Sequence, residues 1–202
     1  MKNRNILLAI FCCALASCSF NKVPPSDIYT ILPDFGKSSS STTVKKKNRP
    51  VIKLAPIRAS RAFTGTDMVY VTTQYEQNSY AYSRWSDAPV TLLPLLFQTA
   101  LEATGSFWAV ISPPSAAKAD FLLESTLTDF SHHVHDGNIS EGIISIRFYL
   151  INAATKTVIA TREFRSQVPS STPNAGDGAT ALNQAADTVA HDLAAWLKGM
   201  QL

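Results

Sequence analysis

Phe121-Leu122-Leu123-Glu124-Ser125-Thr126-Leu127, Ile144-Ser145-Ile146-Arg147-Phe148-Tyr149-Leu150 and Val158-Ile159-Ala160-Thr161-Arg162-Glu163-Phe164 are the three stretches that decide the fold. Each alternates with a period of two, the pattern of a strand with one face on a core and the other turned to solvent or a partner. On that reading Phe121, Leu123 and Leu127 share a face, as do Ile144, Ile146, Phe148 and Leu150, and then Val158, Ala160 and Phe164. The strands are predicted over Phe121–Ser131, Ile139–Asn152 and Thr157–Val168. Asp136-Gly137-Asn138 and Ala153-Ala154-Thr155-Lys156 have the composition of hairpin turns between them.

On either side of this meander lies a segment with helical periodicity. Thr180–Leu197 is Ala-rich and carries Leu182, Ala185, Ala186, Val189, Leu193, Trp196 and Leu197 along one stripe, predicting a helix packed on the apolar face of the sheet. Upstream, Leu92 and Leu96, and Leu93, Phe97 and Leu101, recur at i, i+4 until Gly105 supplies a stop. Two starts fit this first helix. Asp87 as cap puts Pro89 in the first turn but leaves Pro94 inside, where a proline costs about 3 kcal/mol and kinks the helix. Thr91 as cap puts Pro94 in the first turn instead. Val51–Ile57, Asp67–Thr73 and Tyr75–Trp85 read as earlier strands, and Phe107–Ile111 as a short one stopped by Pro113-Pro114. The order βββαββββα over residues 51–202 predicts an α+β domain: a largely antiparallel sheet with two helices packed on one face.

The amino terminus has a different character. Lys2 and Arg4 precede the apolar run Ile6 to Ala16, which together form the charged and apolar parts of a secretory signal. The run is far short of the ~20 apolar residues that cross a bilayer. It ends on Leu15-Ala16-Ser17-Cys18, the pattern of a bacterial lipobox, which places cleavage between Ser17 and Cys18 and lipid on Cys18. Residues 1–17 are then the signal peptide. Cys12, Cys13 and Cys18 are the three cysteines of the chain, so the processed protein holds no thiol pair to join and relies on a packed core. Several acyl chains make a durable membrane anchor where one would be marginal. Ser19 after the cysteine, rather than Asp, fits export to the outer membrane in the enterobacterial sorting pattern, on the periplasmic face of the envelope.

Loss of Lys2 and Arg4 leaves 16 basic against 15 acidic residues, a near-neutral balance that argues against nucleic acid as a partner. Residues 18–50 read as a lipid-anchored tether with Pro24 and Pro25, then an apolar patch, Ile28-Tyr29-Thr30-Ile31-Leu32, that suits an edge strand. Ser38 to Ser41 and the basic Lys45, Lys46, Lys47 and Arg49 follow, as a flexible linker whose charges are either simply solvated or in contact with anionic lipid headgroups.

Chemical signatures are few. The sequence has no nucleophile elbow, no H-E-x-x-H and neither of the glycine-rich phosphate loops. His132-His133-Val134-His135 is the one histidine cluster; alternation turns His133 and His135 the same way, as two metal ligands would stand. It falls at an expected hairpin tip, where polar residues are usual, and His191 on the last helix is the one further histidine. Solvated loop histidines, with no metal, are the reading carried forward; their protonation offers a way to tune an interaction below neutral pH. The strand Tyr75–Trp85 is rich in aromatics. Tyr80, Tyr82 and Trp85 are candidates for partner binding, since Tyr and Trp are favoured at interfaces, or for covering the helix and sheet edge. Strict alternation puts Tyr80 and Tyr82 together and Trp85 opposite.

Taken in order, these features resemble the family of ABC-type transport auxiliary lipoprotein components. The resemblance rests on the lipobox, a Tyr-x-Leu-like segment at Tyr29-Thr30-Ile31-Leu32 with one extra residue, and the strand Val51-Ile52-Lys53-Leu54-Ala55-Pro56. It continues through Val69-Tyr70, Trp85 leading into the helix, Gly105 with Phe107 and Val110, and Ala119-Asp120-Phe121-Leu122-Leu123. It implies a non-enzymatic role with no catalytic residues and no cofactor. Such proteins accompany ABC transporters of the mammalian-cell-entry (MCE) type, which move phospholipid or other hydrophobic molecules across the envelope. The implied partners are the membrane, through acylated Cys18, and an MCE-domain protein docked at hairpins or sheet edges, and exposed edges also suit a homo-oligomer. A structural lipoprotein of another envelope machine, for lipopolysaccharide export or outer-membrane biogenesis, is the alternative; an enzyme or metal protein centred on His132, His133 and His135 is a third. The anchor is testable on its own: Cys18→Ala leaves the protein unacylated and releases it from membranes, read by fractionation and intact mass, and acylation persisting in that variant overturns the lipobox assignment.

Overall fold

The computed structural model describes residues 24–32, 49–73, 75–136, 139–200 and 202. Along the chain come β1 (Asp27–Tyr29), β2 (Val51–Leu54), β3 (Arg58–Ala59), a 3-10 turn at Arg61–Phe63, β4 (Asp67–Thr73) and β5 (Glu76–Trp85). Helix α1 (Pro89–Ala103) and β6 (Ala109–Ile111) follow, then β7 (Phe121–Val134), β8 (Ser140–Asn152), β9 (Val158–Ser170) and helix α2 (Ala175–Gly199). Ser17, Cys18 and Lys45 to Lys47 lie outside the described residues, as do Gly137 and Asn138 of the first hairpin turn.

Strand β7 is the axis of one nine-stranded sheet. Along one edge it pairs antiparallel with β8 over its full length, from Phe121↔Asn152 to Val134↔Ser140, and β8 pairs likewise with β9. Its other edge is shared by three short strands in succession, all parallel to it: β2 at Phe121–Leu123, β3 at Thr126–Leu127 and β4 at His132–His133. From there β2 leads to β6, while β4 leads to β5 and β5 to β1. The architecture is the expected α+β one. The long ladders are antiparallel because short turns join them; the parallel pairs arise because α1 and its flanking segments carry the chain back before β7 begins.

Both helices lie on one face. Leu93, Leu96, Phe97 and Leu101 of α1 and Leu182, Ala185, Ala186, Val189 and Leu193 of α2 close over Leu123, Leu127, Phe130, Ile144, Ile146, Phe148 and Leu150. An edge-to-face aromatic row crosses this layer: Phe97 to Phe148 at 5.4 Å, Phe148 to Phe164 at 6.0 Å and Phe164 to Trp196 at 5.9 Å. For α1 the structure selects the earlier start. Pro89 opens the helix, Ala88 stands at the cap position, and Asp87 Oδ1 accepts from the Ala88 N–H at 2.6 Å, so Pro94 lies within the helix. Gly105, at φ +64°, ends it as expected.

Bulges alter the strict alternation. One between Leu127 and Asp129 adds a residue to β7, so Phe130 and His132 return to the core face with Leu127. Another, between β8 and β9 near Ile159, turns Val158 outward to 59% exposure and away from the face of Phe164, which corrects the alternation read from the sequence. Helix α2 begins at Ala175, a turn and more before Thr180. Asn174 caps it by accepting from the Asp177 N–H at 2.8 Å, and the run Ala175-Gly176-Asp177-Gly178, loop-like in composition, is its first turn.

The glycines there serve close packing. A Cβ on Gly178 would stand 2.5 Å from Nδ1 and 2.7 Å from Cγ of His132, and one on Gly142 would stand 2.7 Å from the Leu182 backbone nitrogen. Backbone and an enclosed ring are the obstacles, so neither can yield cheaply. Gly142→Ala is expected to lower unfolding stability in urea by roughly 1–3 kcal/mol, an overpacking cost. Gly178→Ala costs less by the ~1 kcal/mol that alanine returns in a helix, while Gly65→Ala, with open space around it, stays within about 0.5 kcal/mol. Equal behaviour of all three would refute the contact.

Candidate functional site

Aromatic strand β5 and the histidine segment of β7 meet across β4, whose Tyr70 pairs in register with His132. Tyr80 packs on Tyr70 with ring centroids 4.8 Å apart, and its hydroxyl stands 2.7 Å from His132 Nδ1. His132 is fully buried beneath Gly178 of α2, and among the described residues its Nε2 has no hydrogen-bond partner. Burial, and secondly Tyr70, pushes the Tyr80 phenol up to about 12, so the hydroxyl stays neutral. Burial, with His133 beside it, pushes the His132 imidazole below the usual histidine range, and Asp177 of α2 only partly opposes this. A protonated ring would bring a second N–H into the core with nothing to receive it.

The expected solvated histidine tip is therefore corrected. Strand β7 continues through Val134, so the tract is strand rather than turn, and the bulge near Thr128 sends His132 inward. His133 and His135 do share the opposite face, rings 6.5 Å apart, but each is engaged by its own carboxylate: Asp129 at 3.1 Å and Glu141 at 3.3 Å. His191 pairs with Asp187 on α2, roughly 20 Å along the helix from the turn over His132. Among the described residues no three His, Cys, Asp or Glu side chains gather as a metal site. Ser131, Asp129 and His133 form a chain, but the Ser131 hydroxyl is buried and donates to Asp129 at 2.5 Å, not to an imidazole base. That order does not activate a nucleophile.

The three aromatic candidates separate. Strand β5 carries extra residues against β4 between Ser79 and Arg84, where Val69 faces Ser79 but Asp67 faces Arg84. This breaks the alternation that would oppose Tyr80 to Trp85. Trp85 is 1% exposed and packs edge-on against Phe130 at 5.3 Å, which removes it from any surface. Tyr80 is half-buried on His132, and Tyr82 alone stands out, 51% exposed. Beside Tyr80 opens a cleft of about 370 Å³ lined by Tyr70, Ser79, Tyr80, Ala81, Val134 and Pro173. A second, of about 480 Å³, lies on the face away from the helices, between Tyr75, Gln77, Asp129 and His133.

Strand β1 completes the picture. It lies parallel to the outer edge of β5, with Tyr29 opposite Trp85, and the Ser86 N–H donates to the Tyr29 carbonyl at 2.6 Å. Asn183 of α2 holds the next turn from both sides, donating to the Thr30 carbonyl at 3.1 Å and accepting from the Leu32 N–H at 3.3 Å, while Ile31 enters the core. Residues 27–29 thus join the sheet and 30–32 are held against α2, so the whole segment belongs to the folded domain. No sequence signal marked Asn183, a polar residue on an otherwise apolar stripe.

The depressed His132 pKa has a definite sign. The unfolded ring, near 6.5, takes up a proton that the folded ring resists, so stability is complete above about pH 6.5 and falls as pH drops below it. One proton sets a limit of about 1.4 kcal/mol per pH unit. Urea midpoints measured from pH 7.5 to 5 should fall for the native protein and fall less steeply for His132→Gln; parallel slopes would contradict this role.

Among the curated proteins none matches the chain. Solved structures similar to it include protein XCC0632 of Xanthomonas campestris, at TM-score 0.75 and 20% identity, covering 87% of this chain and 98% of that one. An uncharacterized protein matches at TM-score 0.65 and 14% identity over 86% and 99%, and the hypothetical protein CT253 of Chlamydia trachomatis at 0.50 and 7% over 76% and 98%. At these identities the likeness is one of fold. The sequence profile of the ABC-type transport auxiliary lipoprotein component matches residues 31–194, from Ile31 just after β1 into the second half of α2. The chain belongs to that family.

Proposed function

We propose that this protein is the lipid-anchored, non-catalytic auxiliary of an MCE-type ABC transport system that moves phospholipid or other hydrophobic molecules across the envelope. In this reading the acylated Cys18 holds it at the periplasmic face of the outer membrane, and the domain docks onto an MCE-domain protein. The observation that carries the reading is the family match over residues 31–194, joined to the lipobox at Leu15-Ala16-Ser17-Cys18.

The β1 strap supports it by setting the geometry of the anchor. Only the nine residues from Cys18 to Ser26 lead from the lipid to the first strand, so the start of the β1–β5 edge sits within about 30 Å of the membrane however far those residues extend. The long segment between Leu32 and Arg49 lies beyond that strap and adds nothing to the reach. Ile28 and Tyr82, 59% and 51% exposed, are on this membrane-proximal pair of strands. The opposite cleft and the β7–β8 hairpin are then free to meet a partner.

The test is a crosslinked pull-down of the acylated full chain from intact envelopes, with proteins and lipids identified. Recovery of an MCE-domain protein is the expected result. Recovery of a lipopolysaccharide-export or outer-membrane-assembly machine, with no MCE-domain protein, would replace this reading with the structural alternative.

A further inference from the structure

Strand β9 lies at the edge of the sheet. It pairs with β8 alone among the described residues, and its other edge is free along Val158–Ser170. Which backbone groups face outward follows from Pro169. It stands opposite Glu141 and has no N–H, so this is a non-hydrogen-bonded pair and Pro169 points its backbone away from β8. Stepping back by two, Gln167, Arg165, Glu163 and Thr161 also turn their N–H and C=O groups outward, and all four are exposed. They offer a four-residue ladder to an added strand.

The side chains of this ladder read as their own complement. In an antiparallel pairing of two β9 strands centred on Phe164, Glu163 faces Arg165 of the second copy, Arg165 faces its Glu163, and Thr161 and Gln167 face each other at both ends. The hydrogen-bond parity permits only shifts by whole pairs. Centring on Glu163 sets two carboxylates opposite each other, centring on Arg165 sets two guanidinium groups opposite each other, and larger shifts shorten the ladder or run it into Pro169. Like charges directly opposite are destabilising in a sheet and opposite charges favourable, so one register stands apart. Within one copy Glu163 already pairs with Arg147 of β8. A second strand continues that row as Arg147, Glu163 and the Arg165 of the second copy, alternating in sign. On the helix face Phe164, packed against Phe148 and Trp196, would lie on the two-fold axis. The same charges and Pro169 guard the edge against unselective pairing.

We propose that two copies of this protein associate through β9, antiparallel about Phe164, to form one continuous sheet. The interface is isologous, closes at two copies, and leaves the β1 edge and its anchor free in each. It stands independently of the transported cargo and of the MCE partner.

Disulfide trapping in the purified, acylated full chain in detergent tests the register. In the pairing proposed, Thr161 and Gln167 of different copies have Cα atoms about 5.5 Å apart, within disulfide reach, whereas the same positions in one copy are roughly 20 Å apart along the strand. The double variant T161C/Q167C should give a covalent dimer on mild oxidation, and T161C or Q167C alone should not. Absence of the dimer in the folded double variant, or equal linking by either single variant, overturns the proposal. Charge reversal supplies a second reading that leaves the strand intact. R165E should weaken association about tenfold or more by sedimentation, and R147E/E163R/R165E, which restores alternating charge along the whole row including the Arg147 pair with Glu163, should recover it. An R165E variant that associates as tightly as the native chain would likewise overturn the pairing.

Discussion

Everything in this molecule depends on how closely helix α2 can approach the β7–β8 ladder. At Gly142 the helix backbone lies directly on the strand, and at Gly178 the helix passes over the ring of His132 with no room for a methyl group between. Contact at this range lets the small side chains Ala181, Ala185, Ala186 and Ala190 bury completely and brings Leu182, Val189 and Leu193 into the sheet's apolar face. Dispersion forfeits much of its strength across even a small gap, so a helix held off by one carbon would loosen the whole layer. The contact also explains a conflict in composition: glycines that weaken a helix by propensity stand in its first turn because packing there outweighs propensity.

The same approach encloses His132 and fixes its chemistry. With α2 above and Tyr80 at one nitrogen, the ring is a neutral member of the core, and its second nitrogen has no partner among the described residues. The opposite face of β7 meets other needs. There His133 and Asp129 remain partly exposed beside an open cleft. One histidine tract thus packs beneath α2 on one face and meets Asp129 and Glu141 on the other, as the two-residue period of a strand allows.

For a lipid-anchored auxiliary protein, the use of segment 27–32 matters as much as the core. Asn183, Ile31 and the β5 edge tie this segment to the fold. A short segment that suited an edge strand becomes a strut between β5 and α2. The β9 edge lies at the far side of the sheet from β1 in strand order.

Much was legible in the sequence by itself. The period-two runs at Phe121–Leu127 and Ile144–Leu150, the i, i+4 leucines of α1, the stop at Gly105 and the Ala-rich stripe of α2 determined the α+β class, because backbone periodicity is a local property. The order of spaced residues from Tyr29 to the last helix likewise pointed to the family. What only the tertiary structure decided follows from bulges and long-range contacts. Two bulges, at Thr128 and between Ser79 and Arg84, reverse which face later residues occupy, and one or a few inserted residues leave no mark in composition. Hence the burial of His132 and Trp85 was hidden, as was the exposure of Val158 behind a third bulge. The parallel strands along β7 and the clamp of Asn183 on Thr30 and Leu32 were hidden too, since each joins residues far apart in the chain, and no local pattern encodes a partner 151 residues away.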